Sequence, residues 1–257
     1  MSYNKLSVSK EDQFAQTPDW LLKSIKETFG KNMFDPCPAN PKFDGLKIKW
    51  KSINFVNPPY DNIGAWLDKA VNEWKLRKSV SIFLIPFRMH TRYMERNLKY
   101  VTQSHIFEKS VKFKGYKLGI PTALHICVVG NTISTFPKHI SVPCCKAQLV
   151  SPLNIEQLKT ICKKITQLMF VLHNSISEPL ERIIKSQKKN AFCVICPARF
   201  DNKILHETFQ KASGILFCCP TLKGDRGKFV EGTCALFFNI KRFAKGIELN
   251  SLKLREK

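Results

Sequence analysis

Residues 54–60 read Asn54-Phe55-Val56-Asn57-Pro58-Pro59-Tyr60, a short apolar segment that runs directly into a rigid turn. The two prolines fix φ and lack N–H groups, so the backbone after Val56 is stiff and keeps its carbonyl oxygens as acceptors. The Asn57 side-chain oxygen and the Pro58 carbonyl can each accept one hydrogen of a planar amino group, while the Tyr60 ring offers a stacking face for a base. This pattern predicts amine methylation with S-adenosylmethionine as the donor. A strand exit without a catalytic role is the alternative.

Helical and strand-like segments alternate around this turn. Thr17-Pro18-Asp19 has the order of an N-cap, a first helical proline and a first-turn acid, and apolar residues follow at helical spacing as far as Gly30. Further helices are predicted around residues 66–74 and 92–100, and strands at residues 32–34, 53–56, 80–85, 104–107 and 122–129. The alternation predicts a doubly wound α/β sheet with functional groups at the carboxyl ends of strands, where Asp35 and Asn57 both stand.

The second half of the chain repeats a pattern of the first. Residues 81–88 align with residues 192–199, residues 104–107 with 214–217, residues 114–115 with 223–224, and residues 121–124 with the neighbourhood of 232–236. The constant order predicts a duplicated α/β half, with chance similarity as the alternative. The second copy has neither the Asn-Pro-Pro-Tyr nor the Asp-Pro-Cys sequence. Apolar residues at helical spacing between 155 and 172 predict a long helix in it.

A domain boundary is expected within residues 130–152, which contain Pro137, Pro143 and Pro152 and show little periodicity. Residues 1–148 would then form the catalytic domain. Residues 149–257 would form a degenerate copy with a nucleic-acid-binding or scaffold role.

The chain is strongly basic, with 42 Lys and Arg against 20 Asp and Glu and a formal net charge of +22. Residues 1–145 carry 22 basic and 11 acidic side chains, and residues 146–257 carry 20 and 9, so the excess is evenly divided. Such a surplus predicts a polyanionic partner, DNA or RNA, bound through phosphate contacts. A generally basic protein and an anionic membrane are the alternatives, although no amphipathic basic anchor is evident.

Targeting and metal-binding patterns are weak. No run of about 18 apolar residues occurs and residues 1–5 do not resemble a signal peptide, so we expect an intracellular protein, in the cytoplasm or nucleus, with no membrane partner. Cys193 and Cys196 lie in a strand-like run where residues three apart point to opposite faces. We therefore expect buried, reduced thiols and no metal site.

Taken together, these motifs resemble the phage-type, Dam-like DNA N6-adenine methyltransferases. In that family Thr-Pro opens the first helix, Asp-Pro-Cys or a similar loop replaces the usual glycine-rich loop, and Asn-Pro-Pro-Tyr follows. The similarity extends through residues 61–70, 84–86, 91–93, 111–113 and 122–124, and covers roughly residues 12–130. It implies a Rossmann-like class I methyltransferase sheet with helices on both faces, and it is compatible with a virus or phage as the source.

The resemblance also implies residue roles. Thr17 and Pro18 would line the S-adenosylmethionine pocket, and the Asp35-Pro36-Cys37 loop would bind the methionine end, where a carboxylate suits the ammonium group. Residues 57–60 would hold a flipped adenine, with Asn57 also bordering the cofactor. Asp44 is a weak candidate for the ribose hydroxyls.

Three arginines follow the strand at residues 80–85, namely Arg88, Arg92 and Arg96, and could contact phosphate near the base, with a solvated helix face as the alternative. The expected reaction is methyl transfer to adenine N6 in DNA. An RNA adenine methyltransferase remains open, as does a non-enzymatic nucleic-acid-binding protein on a methyltransferase scaffold. Glutamine N5-methyltransferases share Asn-Pro-Pro-Tyr but normally carry a glycine-rich loop upstream. Residues 34–38 of this chain contain no glycine.

Overall fold

The computed structural model describes residues 16–89, 91–116, 119–120, 122–131, 136, 141–149, 167–170, 182, 184–187, 189–198, 203–218, 233–240 and 247–252. The helices are α1 (Asp19–Phe29), α2 (Ile63–Arg77), α3 (Arg92–Asn97), which continues into the 3-10 turn Leu98–Tyr100, and α4 (Lys203–Lys211). The strands are β1 (Ile53–Val56), β2 (Val80–Pro86), β3 (Val101–Phe107), β4 (Leu124–Val129), β5 (Ser141–Leu149), β6 (Gln167–Phe170), β7 (Phe192–Pro197), β8 (Gly214–Cys218), β9 (Thr233–Phe238) and β10 (Ile247–Leu252).

The strands form one mixed sheet in the order β1-β2-β4-β3-β10-β5-β8-β9-β7-β6. β1 and β2 are parallel, whereas β4 runs antiparallel between β2 and β3. Phe34 extends the β1 side of the sheet through a single parallel bridge to Asn54, rather than through a full strand at residues 32–34. The predicted α/β class is confirmed at the level of a mixed sheet with helices.

Two apolar layers cover the first half of the sheet. Side chains alternate along β2, so Ile82 and Leu84 face α1 while Phe83 and Ile85 face α2. α1 buries Leu21, Ile25 and Phe29, and α2 buries Trp66, Leu67, Ala70 and Val71. Helices therefore pack on both faces, and the turn that follows β1 lies at the end of a rigid, doubly covered strand.

The start of α1 differs from the prediction by one residue. The helix begins at Asp19 with Pro18 as its N-cap, and the Pro18 carbonyl accepts the N–H groups of Leu21 and Leu22. Thr17 therefore lies outside the helix and does not cap it. Its hydroxyl is engaged by Asn57 instead.

The two halves repeat one strand order and one register. Ser81 pairs with Val129 and Pro86 with Leu124 in the first half, and Phe192 pairs with Phe238 and Pro197 with Thr233 in the second. The predicted match between residues 81–86 and 192–197 therefore holds in the pairing of the strands.

The third strands of the two halves match with a shift of one residue. Ser104 pairs with Cys127, and the corresponding partner of Leu236 is Ile215 rather than Gly214. Ser104 is thus equivalent to Ile215, one position beyond the alignment expected from sequence.

Each half contributes its last strand to the other half. β5 follows β4 along the chain but pairs in parallel with β8, and β10 follows β9 but pairs in parallel with β3. β5 and β10 are antiparallel neighbours in which Glu248 pairs with Lys146. On either side of this pair, Ile247 pairs with Ala147 and Leu249 with Cys145. Exchange of the two halves converts each of these flanking pairs into the other. An approximate twofold axis therefore passes through the Glu248 and Lys146 register position.

The region between the halves corrects a second prediction. Residues 167–170, which include Leu168 and Met169 of the expected long helix, form strand β6 beside β7. The other positions of that expected helix, at residues 155, 158, 161, 165 and 172, lie outside the described residues. The boundary expected after residue 148 falls within β5, a strand already joined to the second half.

Cys193 and Cys196 are both buried in β7, as the strand pattern predicted. No group of three or more His, Cys, Asp or Glu side chains among the described residues is arranged to hold a metal ion. Within the same residues, no helix has the length and apolar composition needed to cross a bilayer.

Candidate functional site

One pocket brings together most of the predicted cofactor residues. It has a volume of about 280 Å³ and opens between α1, the segment after Phe34 and the end of β1. Its lining includes Thr17, Asp35, Cys37 and Asn57, which are far apart in sequence. Pro18 and Pro36 are buried behind this wall and do not line the cavity.

The carboxylate of Asp35 organises the loop that forms one wall of the pocket. The Cys37 N–H donates to Asp35 Oδ1 at 2.8 Å, so the side chain closes a short turn after Phe34. The surrounding protein raises the pKa of Asp35 by desolvation, against the opposing effects of the Cys37 N–H and the Lys26 charge. Because the side chain is still open to water at the mouth of the pocket, we expect it to be ionised at neutral pH.

Cys37 does not have the properties of a nucleophile. Burial raises the pKa of its thiol to about 12, and the neighbouring Asp35 charge acts in the same direction. Only the thiolate attacks carbon, so a protonated thiol at this position does not suit covalent catalysis.

Gly45 holds the Asp35 loop in place from behind. A Cβ atom at Gly45 would stand 1.9 Å from the Pro36 carbonyl oxygen and 2.7 Å from the Trp66 ring. The Gly45 carbonyl also accepts the Trp50 indole N–H at 2.7 Å, which fixes its segment against the core. A residue without a side chain is therefore required for this approach.

Asp44 supports the same turn and does not line the pocket. Its Oδ1 accepts the Leu46 N–H at 3.0 Å, and its Oδ2 lies 3.3 Å from Lys47 Nζ. These contacts describe a turn residue, so the weak ribose assignment gains no support from the structure.

Asn57 lies where the first helix and the first strand meet. Its Nδ2 donates to Thr17 Oγ1 at 3.4 Å, a long hydrogen bond that nevertheless sets which way the amide faces. The strand that delivers Asn57 is anchored at its start by Asn54. The buried Asn54 amide donates to Ser79 Oγ at 2.8 Å and accepts the Lys51 N–H at 3.1 Å.

The rest of the turn is rigid and partly buried. Pro58 is buried, and among the described residues its carbonyl has no hydrogen-bond partner. The Pro59 carbonyl accepts the Asn62 N–H at 3.1 Å and so starts the approach to α2. The turn therefore leaves the Pro58 acceptor available and uses the Pro59 acceptor for its own structure.

Tyr60 carries a buried hydroxyl group that has no hydrogen-bond partner in the described part of the chain. Burial raises its pKa, while the positive charge of Arg88 acts in the opposite direction. The ring packs against both apolar layers. An orphaned polar group of this kind next to a rigid turn marks a place where a ligand could supply the missing partner.

The three arginines are not equivalent. Arg88 is exposed, and its charge acts on the Tyr60 and Tyr93 hydroxyls. Arg96 is engaged by Asp68 in a two-pronged pair, with Nε to Oδ1 at 2.9 Å and the second nitrogen to Oδ2 at 2.5 Å. Arg92 is exposed and forms no ion pair with a described residue. Arg88 and Arg92 are thus better placed than Arg96 to contact a phosphate.

Several lining residues had no signal in the sequence. The pocket is also lined by Gln16, Leu22, Lys26, Met33, Pro38, Ala39, Phe55 and Lys114. Lys114 arrives from residues 111–116, where its N–H donates to the Gln16 carbonyl at 3.0 Å. Only the exposed position of a lysine within an amphipathic helix could have drawn attention to Lys26.

Comparisons with models of protein families, with curated proteins and with solved structures find no match for this chain, and its function is therefore inferred from the chemistry of these side chains.

Proposed function

We propose that the protein transfers a methyl group from S-adenosylmethionine to the N6 amino group of adenine in DNA. The observation that carries this proposal is the meeting of Thr17, Asp35 and Asn57 in one pocket, although the three residues were selected from separate motifs. Asn57 also begins the rigid turn with an available Pro58 carbonyl. The residues proposed to bind the cofactor therefore lie next to the turn proposed to hold the target amine.

The pocket residues fit the proposed cofactor. Asp35 offers a carboxylate for an ammonium group, and Leu22, Met33 and Phe55 give apolar surface for a ring or a methylene chain. The volume of about 280 Å³ is close to the lower end of the range of about 300–1,000 Å³ typical of small-molecule sites. When bound, S-adenosylmethionine supplies an electrophilic methyl group on a sulfonium.

The chain's own groups hold and activate the target amine. The Asn57 side-chain oxygen and the Pro58 carbonyl would each accept one N6 hydrogen, which draws the nitrogen away from planarity and localises its lone pair. In such a transfer the methyl–sulfur bond would break as the carbon–nitrogen bond forms, and one N6 proton would be lost to solvent. Neither step requires a covalent bond to the enzyme, in agreement with the protonated state of Cys37.

Access to adenine inside a duplex requires the base to leave the stack. Extrusion costs a few kcal/mol, which stacking on Tyr60 and the two acceptors would offset. The charge of Arg88 acts on Tyr60, and this exposed side chain would bind a phosphate flanking the extruded base. The net charge of +22 favours a long polyanion as the substrate.

The Rossmann-like methyltransferase sheet is part of the proposal. Support comes from the order of the Phe34 bridge, β1, β2, β4 and β3, with an antiparallel strand inserted between two strands of the same direction. Asp35 follows the Phe34 bridge and Asn57 follows β1, so both lie at the same edge of the sheet, where ligand sites of such sheets are expected.

We assign residues 149–257 the role of a degenerate copy that binds nucleic acid and not cofactor. By register, Gln167 corresponds to Asn54, so Phe170 occupies the position of Asn57. An aromatic hydrocarbon cannot accept a hydrogen bond from an amine as an amide oxygen does. The second half also carries half of the excess positive charge.

The test is incubation of the full-length protein with methyl-labelled S-adenosylmethionine and, in parallel, duplex DNA, single-stranded DNA, RNA and protein. We expect label in DNA, recovered as N6-methyladenine after nuclease digestion. Label in RNA adenine alone would replace DNA as the substrate. Binding of DNA without cofactor binding or label would identify a nucleic-acid-binding protein on a methyltransferase scaffold and would overturn the enzymatic proposal.

A further inference from the structure

Two lysines line the pocket, and they differ in how their charges are paired. Lys114 Nζ lies 2.6 Å from Asp19 Oδ1, at the start of α1. Its backbone N–H also holds the Gln16 carbonyl at 3.0 Å. Lys114 therefore links residues 111–116 to the start of α1, and its charge is already paired with Asp19.

Lys26, in contrast, has no ion pair with any described residue. It stands on the exposed side of α1, about two turns beyond Asp19, and its ammonium group acts on Asp35 without forming an ion pair. Asp35 also lines the pocket, where its Oδ1 is already held by the Cys37 N–H. The pocket therefore presents one positive and one negative side chain that form no ion pair with each other.

A ligand that carries both charges on neighbouring atoms can pair with both side chains at once. An α-amino acid end has this arrangement, with an ammonium and a carboxylate on one carbon. Asp35 can bind only the cation, because an ionised carboxylate has no donor. A carboxylate on the ligand then needs a cation in the pocket, and Lys26 is the lining cation that is not already paired.

We propose that Lys26 binds the carboxylate of the ligand's amino-acid end while Asp35 binds its ammonium group, which makes the pocket a receptor for a zwitterion. This inference rests on the proposed function, because S-adenosylmethionine is the ligand concerned. It adds a residue that selects the cofactor by its carboxylate. A flexible, exposed ammonium suits this role, since it can follow the ligand as a mobile point charge.

The experiment removes the charge from each partner in turn. Calorimetric affinities are measured for S-adenosylmethionine and for decarboxylated S-adenosylmethionine, which keeps the ammonium and the sulfonium but lacks the carboxylate. Both ligands are titrated into the wild-type protein and into Lys26→Met, whose side chain is unbranched like lysine but uncharged. We expect the substitution to lower the affinity for S-adenosylmethionine about tenfold, in line with the loss of a charge-assisted hydrogen bond. The affinity for the decarboxylated ligand should be unchanged.

Two matched variants separate a specific contact from a general effect. Lys23→Met lies on the same helix at an exposed position paired with Glu27, outside the pocket, and should alter neither affinity. Lys114→Met removes the ion pair with Asp19 and should lower the affinity for both ligands by a similar factor. The reason is that it changes the shape of the pocket rather than a contact to the carboxylate.

The outcomes are distinguishable from failure of the proposed function. Equal weakening of both ligands by Lys26→Met, or no weakening of either, would overturn the role of Lys26 while S-adenosylmethionine binding still stands. Failure of the wild-type protein to bind either ligand would instead overturn the cofactor assignment, and the role of Lys26 with it.

Discussion

The side-chain amide of Asn57 donates to the hydroxyl of Thr17 across 3.4 Å, and so joins the turn after β1 to the segment that leads into α1. Thr17 is free to accept this bond because Pro18, rather than Thr17, occupies the N-cap position. The direction of the Asn57 oxygen is therefore set by a residue forty positions earlier in the chain.

Removal of the Thr17 hydroxyl should slow methyl transfer. Thr17→Val keeps the shape of the side chain but deletes the acceptor, so the Asn57 amide can rotate away from the target amine. We expect a loss of roughly three- to tenfold in single-turnover rate, the effect of one neutral hydrogen bond. Thr17→Ser is the control and should keep most of the activity. Equal rates for the two variants would show that Thr17 does not orient Asn57.

Asn57→Ala should abolish methyl transfer while cofactor affinity is largely retained. The substitution removes an acceptor for the target amine but leaves Asp35, the proposed partner of the cofactor's ammonium group, in place. The expected loss in turnover is about a hundredfold or more, by analogy with removal of a single preorganised catalytic hydrogen bond. Labelled methyl incorporation measures the first effect and calorimetry the second. Asn62→Ala, at an exposed position near the turn without a side-chain capping bond, should remain active. Near-normal turnover in Asn57→Ala would reject the catalytic assignment of the turn.

Gly45→Ala should weaken cofactor binding without touching the cofactor. The added methyl group would meet the Pro36 carbonyl and the Trp66 ring, so the Asp35 loop must move. We expect a loss of about 1–3 kcal/mol in the free energy of unfolding, together with reduced S-adenosylmethionine affinity. Gly30→Ala is the control. It is strained by its φ of 118° but has no atom within 4 Å, so it should lower stability alone.

The arginines should differ in their effect on DNA binding. Arg88→Ala and Arg92→Ala should each weaken DNA affinity and lower the magnitude of the salt slope by about one, as expected for a lost phosphate contact. Arg96→Ala should leave the slope unchanged and cost up to about 1 kcal/mol of stability, because its partner is Asp68. Fluorescence anisotropy across a salt series measures the slopes. A common slope for all three variants and the wild-type protein would contradict the distinction.

Two buried histidines predict a loss of stability in mild acid. Burial lowers the pKa of His105 to about 4, and burial together with the His105 charge lowers the pKa of His125 to about 3, from an ordinary value of 6.5. The unfolded chain therefore binds protons that the folded chain excludes, and the free energy of unfolding should fall as pH drops below about 6.5. Denaturant titrations between pH 7.5 and roughly 4.5 measure the slope, within the range set by these pKa shifts.

His125→Gln tests the source of that slope. Glutamine does not titrate but can still pair with Ser104 Oγ, which lies 2.7 Å from His125 Nδ1. The variant should therefore show a shallower decline in acid. An unchanged slope would place the acid sensitivity in other groups.

Local signals predicted the parts of the fold that depend on neighbouring residues. β1 lies at residues 53–56 as expected, because β-branched and aromatic residues end at a proline pair. α2 buries Trp66, Leu67, Ala70 and Val71 as their spacing indicated. Asp35 and Asn57 line one pocket as expected, although the segment before Asp35 forms a single bridge and not the predicted strand.

The remainder depends on contacts between distant residues. Thr17 has the local preference of an N-cap, yet a partner from β1 determines its role. Leu168 and Met169 fit a helical stripe, but short apolar runs suit strands equally well, and pairing with β7 decided the outcome. Lys26 and Lys114 are unremarkable surface lysines until the pocket around them is assembled. The exchange of β5 and β10 has no local signature.

Because of that exchange, the sheet of the first half depends on a strand from the second half. A protein that lost residues 149–257 would leave β3 without its neighbour β10 and β5 without β8, and exposed strand edges of this kind promote aggregation. We therefore expect such a truncated protein to fold poorly, even with every residue of the pocket intact. The final strand of the chain therefore completes the sheet of the first half, so residues 149–257 contribute to the fold of that half whether or not they carry chemistry of their own.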